Sequence, residues 1–241
     1  MDTNEINEVN DLFQDLKEAN IDMDESVADL AEALERDDND KVYSLSKDLA
    51  EKKNDWGLFI YSEFFIRGEK VKKDLNKAER LLREAAKTNP LAALRLVDLI
   101  NYRVIPSSNP AHELYVLSRF AASKGLPKGM YQAGICVKAG WGCRVNKKQA
   151  FEWILKAAKR GYLDAPYVVG EMYMTGAGTK RDLRQARYWF EQAVKLNNDA
   201  EAMVILGTFC YKENKLAMAK DYWKRAAPSC VEAKVLLHNM K

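Results

Sequence analysis

Small, apolar and polar residues recur along this chain in a fixed order. "VKAGWGCRVNKKQAFEWILKAA", beginning at Val137, and "YMTGAGTKRDLRQARYWFEQAV", beginning at Tyr173, lie 36 residues apart and share one pattern. Each has Gly-x-Gly, a polar loop, an alanine, an aromatic three residues on, and a closing small pair. Carried in both directions, the phase gives units starting near Gly57, Ala93, Gly129, Ala165 and Ala202, at intervals of 36, 36, 36 and 37. That interval lies in the range of stacked helical repeats. The closing pairs are Ala85-Ala86, Ala121-Ala122, Ala157-Ala158, Ala193-Val194 and Ala226-Ala227, and seven residues before each stand Ala78, Leu114, Ala150, Ala186 and Ala219.

Within each unit the apolar positions follow helical spacing, so each unit is predicted to be two amphipathic helices joined by a loop. Small first-helix residues (Gly134, Gly170, Gly207) are predicted to face Ala150, Ala186 and Ala219 on the second helix, with Trp153, Tyr173, Trp189 and Phe190 filling the space between. One such pair cannot bury its apolar face alone, so neighbours must stack.

The loop residues agree. Gly140 and Gly142, like Gly176 and Gly178, suit conformations that end a helix. Asn146 with Gln149 and Asp182 with Gln185 have the spacing of capping boxes that open the second helix. Asn109-Pro110 reads as an N-cap followed by proline at the first helical position. In the fifth unit Gly207 and Ala219 are 12 residues apart, against 16 for Gly170 and Ala186, which predicts a loop four residues shorter between two intact helices. Ala31, Tyr43 and Ala50 repeat the 12- and 7-residue intervals, and helices are predicted over 3–20, 24–36 and 40–54. "EAKVLLHNM" from Glu232 reads as a last half-unit.

These motifs resemble the Sel1-like repeat family, relatives of the tetratricopeptide repeats. The likeness is clearest over 129–195, good over 57–90, and poor over 93–127, where Asp98 and Val104 replace the glycines. The resemblance implies an all-α fold, a right-handed α-solenoid of stacked helix–loop–helix repeats. The expected organisation is an acidic helical cap with a degenerate repeat over 1–56, five repeats over 57–228, and a C-terminal capping helix over 229–241.

Composition narrows the function. Charged residues make up 30% and hydrophobic ones 47% of 241 residues, and no apolar run reaches membrane-spanning length. The N-terminus is acidic and lacks the apolar core of a signal peptide, which makes a cytoplasmic location the expectation, with signal-independent secretion left open. The net charge of +3 hides an asymmetry. Residues 1–40 hold 15 acidic and 2 basic side chains, whereas 41–241 hold 36 basic and 20 acidic. Such polarity within one chain signals an interaction tail or an intramolecular contact.

Chemistry has little material to work with. The four cysteines (Cys136, Cys143, Cys210, Cys230) form no Cys-x-x-Cys, and His112 and His238 are the two histidines, so no zinc site is expected. Cys143 with His112 is the nearest nucleophile–base pairing, and nothing orients it. The Gly-x-Gly stretches lack the ending of a phosphate loop. The reading is of a non-enzyme without a cofactor.

Binding is the better prospect. By analogy with tetratricopeptide arrays, first-helix positions are expected to line a concave groove that takes a protein partner: Phe59, Ile66, Arg95, Leu99, Tyr102, Tyr131, Lys138, Tyr167 and Met174. Aromatic residues, Met and Arg are the types enriched at interfaces. The resemblance implies an adaptor or scaffold, with sequestration of a toxin or effector, as an inhibitor or immunity protein, as one form. The interhelix loops carry Lys70, Lys72, Lys73, Arg144, Lys147, Lys148, Lys180 and Arg181, a basic rim that offers a nucleic-acid or polyanion surface as the alternative. No nucleic-acid-binding signature supports that alternative.

Overall fold

The computed structural model describes residues 27–240. Among these residues there are thirteen helices and no strands. In chain order they are α1 (Ala28–Glu35), α2 (Asn39–Glu51), α3 (Asp55–Arg67), α4 (Leu75–Ala85), α5 (Pro90–Asn101), α6 (Pro110–Ser123) and α7 (Pro127–Ala139). There follow α8 (Lys147–Lys159), α9 (Ala165–Thr175), α10 (Leu183–Asn197), α11 (Ala200–Lys212), α12 (Leu216–Ala226) and α13 (Val231–Asn239). The fold is an α-solenoid of helix pairs. The predicted helix over 3–20 lies outside the described residues; those over 24–36 and 40–54 correspond to α1 and α2.

The chain divides into two compact units. One runs to Cys136 and includes Trp141–Cys143; the other holds Val137–Gly140 and everything from Arg144 onward. In the first unit α1 packs on α2, α2 on α3, α3 on α4, α4 on α5 and α5 on α6. In the second, α8 packs on α9, α9 on α10, α10 on α11, α11 on α12 and α12 on α13.

Glycine permits the tightest approaches between neighbouring repeats. A Cβ on Gly57 would sit 2.3 Å from the Leu49 Cβ, and one on Gly129 would sit 2.7 Å from the Ala121 Cβ, so the first glycine of a repeat presses on the end of the helix before it. The predicted partner of the mid-helix glycines needs correcting. A Cβ on Gly170 would meet the Phe190 ring at 2.8 Å, and one on Gly207 would meet Trp223 Nε1 at 2.4 Å; Ala186 and Ala219 are not the nearest atoms. A helical side chain leans toward the N-terminus and covers the turn before its own Cα. The rings of Phe190 and Trp223 therefore lie over the turn of the alanine four residues earlier. Alanine makes room for the ring, and the ring meets the glycine.

The caps form differently from a full capping box. Asn146 Oδ1 accepts from the Gln149 N–H at 3.1 Å and Asp182 Oδ1 from the Gln185 N–H at 3.0 Å, as predicted. The capping residues' own N–H groups donate to a carbonyl nine residues earlier: Asn146 to Val137 at 3.1 Å, Asp182 to Tyr173 at 3.0 Å, and Asp74 to Phe65 at 3.0 Å. With that donor satisfied by the first helix, the glutamine has no return bond to make. In these three pairs the same bond ties the start of the second helix to the end of the first. In the fifth pair the short loop holds, and both α11 and α12 form.

Candidate partner-binding surfaces

In the first unit the expected contact positions split by burial. Phe59 is fully buried, and Ile66 and Leu99 are also in the core, so these three present no open contact surface. Arg95 is half-buried and tied down: its Nε and Nη2 donate to the two Glu63 carboxylate oxygens at 2.8 and 2.9 Å. Arg67 Nε lies 3.9 Å from the same carboxylate. A forked guanidinium–carboxylate bond of this kind holds α5 to α3, which gives Arg95 a structural task. Tyr102, the cap of α5, is 80% exposed.

Between α5, α6 and α7 lies a cleft of about 210 Å³. Its walls include apolar Val97, Leu114 and Ile135, polar Asn101 and Gln132, and the rings of Tyr131 and Trp141. Trp141 is 53% exposed and its place is set by the backbone. It stands between Gly140 and Gly142, both with positive φ (79° and 67°), and its N–H donates to the Cys136 carbonyl at 2.9 Å. A Cβ on Gly142 would sit 2.3 Å from the Ala111 carbonyl oxygen, so this loop is pressed onto the start of α6. Sequence reasoning did not single out Trp141. The signal was present, since the repeat places Ala177 between the equivalent glycines.

In the second unit Tyr167 and Met174 form a half-buried stripe on α9 together with Glu171. Lys138 Nζ lies 3.7 Å from a Glu171 carboxylate oxygen. Tyr167 packs beside Phe190, ring centroids 5.8 Å apart, and its hydroxyl pKa is raised, first by burial and then by the Glu171 and Glu201 charges.

The loop cations are exposed in both units. In the first, Lys72 and Lys73 line a shallow depression with Phe65 and Lys77, while Lys70 Nζ is 2.5 Å from Asp40 Oδ1. In the second, a Cβ on Gly178 would meet the Lys147 carbonyl oxygen at 2.0 Å, so the loop after α9 is seated on the start of α8. The loop so seated also carries Lys180 and Arg181, and the helix start beneath it carries Lys147 and Lys148. Arg181 also donates its Nε–H to the Met174 carbonyl at 3.0 Å.

The nearest nucleophile–base pairing the sequence offers is Cys143 with His112. His112 Nδ1 lies 3.3 Å from the Gly142 carbonyl. Burial raises the Cys143 pKa and pushes Cys136 up to about 11, the opposite of what a nucleophilic thiolate needs. Among the described residues no three His, Cys, Asp or Glu side chains gather as a metal site, and no helix is long and apolar enough to cross a membrane.

Comparison with known proteins gives this arrangement a context. The Sel1 repeat family model matches residues 57–88, 127–162 and 164–198. The matches fall on α3–α4, α7–α8 and α9–α10; the degenerate second pair and the short-looped fifth pair fold alike without matching. An uncharacterized protein of Neisseria meningitidis serogroup B is 30% identical over 139 residues, which is 56% of this chain and 28% of that protein. A protective antigen of uropathogenic Escherichia coli strains, described as displaying an SLR fold, superposes with a TM-score of 0.72 at 23% identity. The match covers 82% of this chain and 43% of that one. A Sel1 repeat protein from Oxalobacter formigenes gives a TM-score of 0.62 at 24% identity, covering 75% of each. This chain thus spans under half the length of two of these relatives.

Proposed function

We propose that this chain, an α-solenoid with three stretches that match the Sel1 repeat, acts as a protein-binding adaptor or scaffold. Sel1 repeat proteins are generally protein-interaction adaptors, and their solenoids are typically non-enzymatic. The observation that carries the reading is the exposed Trp141 beside a side-chain-sized cleft. A cleft of about 210 Å³ is smaller than the roughly 300–1,000 Å³ typical of metabolite pockets, and it suits one side chain of a protein partner. Exposed aromatics at such a pocket are the residue type in which interface energy concentrates. Tyr131 in the cleft wall extends the same aromatic character. Sequestering an effector, as an inhibitor or immunity protein does, is one use of this surface.

The second reading is a polyanion site at Lys147, Lys148, Lys180 and Arg181, favoured by the seating of one loop on the next. Affinity capture separates the two. Proteins retained by the parent chain in both 50 and 300 mM salt are to be lost from a Trp141→Ala, Tyr102→Ala double variant and kept by Lys147→Glu, Lys148→Glu. Loss in the lysine variant alone, with binding that collapses in the higher salt, overturns the adaptor reading in favour of phosphate neutralisation.

A further inference from the structure

Beside the Trp141 cleft lies a second, more open hollow of about 480 Å³, formed where α5 gives way to α6. Its walls are mainly apolar, from Ile100, Ile105, Pro106 and Pro110, with polar Ser107 and cationic Arg103. Asn101 and Leu114 line both hollows, so the two adjoin as one groove. Every residue of that groove belongs to the first unit. The loop beneath the second hollow is held from several sides. Ile105 is buried, and its N–H and that of Val104 both donate to the Leu99 carbonyl, at 3.2 and 2.8 Å. Arg83 Nη2 donates to the Pro106 carbonyl at 3.4 Å, and Asn109 caps α6 through the His112 N–H. Pro106 and Pro110 have fixed φ angles. A loop so constrained loses little freedom when a ligand docks.

Charge and hydrogen bonding then select the occupant. Among the side chains lining the two hollows Arg103 is the one charged group, and none is a carboxylate. Its guanidinium is exposed and forms no ion pair with the described residues. A single cation among apolar walls does not suit a polyanion, whose binding rests on neutralising several phosphates. It suits one carboxylate. The Asn101 amide, where the hollows meet, also has no hydrogen-bond partner among the described residues and offers both a donor and an acceptor. A helix satisfies its own backbone groups, whereas an extended segment leaves them open to such an amide.

We propose that the groove binds an extended segment of a partner protein that carries an apolar side chain and, two residues away, a carboxylate. The apolar side chain enters the Trp141 cleft, the carboxylate pairs with Arg103, and the Asn101 amide meets the backbone between them. Side chains two apart on an extended chain point to one face about 7 Å from each other, so adjoining hollows are filled together. This specificity rests on the adaptor reading and states what its cleft takes.

The probe is a phage-displayed library of random heptapeptides, selected on the immobilised full chain. Enriched sequences should pair an apolar residue such as Leu, Met or Phe with Asp or Glu two positions away. Selection on full-length Arg103→Glu should replace that acid with Lys or Arg and keep the apolar residue, a gain that requires a folded groove. A peptide made from the parent selection should bind Arg103→Glu at least about tenfold more weakly by fluorescence anisotropy, and regain affinity once its acid is changed to Lys. Ile135→Arg, which fills the cleft, should abolish enrichment. No enrichment on the parent, enrichment without an acid, failure of the charge swap, or indifference to Ile135→Arg each overturns the proposal. Protein capture that depends on Trp141 with no such peptides leaves the adaptor reading standing and removes this one. Failure of the adaptor reading shows separately, in the capture experiment.

Discussion

Replacing Gly170 with alanine tests how first and second helices meet. The new Cβ would lie 2.8 Å from Phe190 Cδ1 and Cε1 and 3.0 Å from Cζ, well inside the 3.4–4 Å of ordinary contact. Phe190 has no space to yield into, because it is fully buried among Ala186, Ala193, Ala202 and Leu206. Overpacking of this kind costs about 1–3 kcal/mol. Alanine regains about 1 kcal/mol over glycine in a helix interior. The net expectation is a loss of up to roughly 2 kcal/mol, read by urea denaturation followed by circular dichroism and by amide exchange over α9 and α10. A double-mutant cycle then identifies the contact. Phe190→Leu alone should cost less than the roughly 3–5 kcal/mol of a Phe→Ala truncation. In its background Gly170→Ala should become neutral or stabilising, because the opposing ring is gone and the helix-propensity gain remains. The coupling should therefore reach about 1 kcal/mol or more. Additivity within roughly 0.5 kcal/mol would show that the two residues do not touch and would refute the packing account.

Two further predictions follow from buried polar groups. Arg95→Ala removes the forked partner of a carboxylate whose side chain is 7% exposed, and breaking one member of a buried ion pair costs about 3–5 kcal/mol. Chemical denaturation should show that loss, and a Glu63→Gln change in the same chain should recover part of it by removing the stranded charge. Tyr61 has its pKa pushed from 10.0 to about 12, first by burial and then by its hydrogen bond with Tyr43. Its folded-state pKa is raised, so the stability it contributes is full below pH 10 and is lost as pH rises toward 12. Melting temperature should accordingly fall more steeply across that window in the parent chain than in Tyr61→Phe, and parallel pH profiles would contradict the assignment.

Much of the architecture was legible in the spacing alone. A period of 36 with alanines seven residues apart is a local code, because each helix pair repeats the same contacts with its own neighbours and few depend on distant chain. The N-caps at Asn109, Asn146 and Asp182 were readable for the same reason: a cap is decided within three residues. Even the shortened loop before α12 could be predicted by counting. What the pattern could not supply was which atoms fill the space between paired helices. It paired glycine with alanine by position along the helix, whereas the tilt of side chains toward the helix N-terminus brings the Phe190 and Trp223 rings there instead.

Exposure was the other quantity that only the tertiary structure decided. Phe59, Arg95, Tyr131 and Tyr167 occupy one repeat position, and their spacing makes them look like one surface column. In the folded chain Phe59 is sealed, Arg95 is committed to Glu63, and Tyr131 and Tyr167 are half-buried. Periodicity gives a residue's direction from the helix axis. Accessibility depends on what stands opposite, which comes from segments far along the chain. Trp141 shows the converse: an unremarkable loop position became the most open ring of a cleft because two left-handed glycines and the start of α6 hold it there.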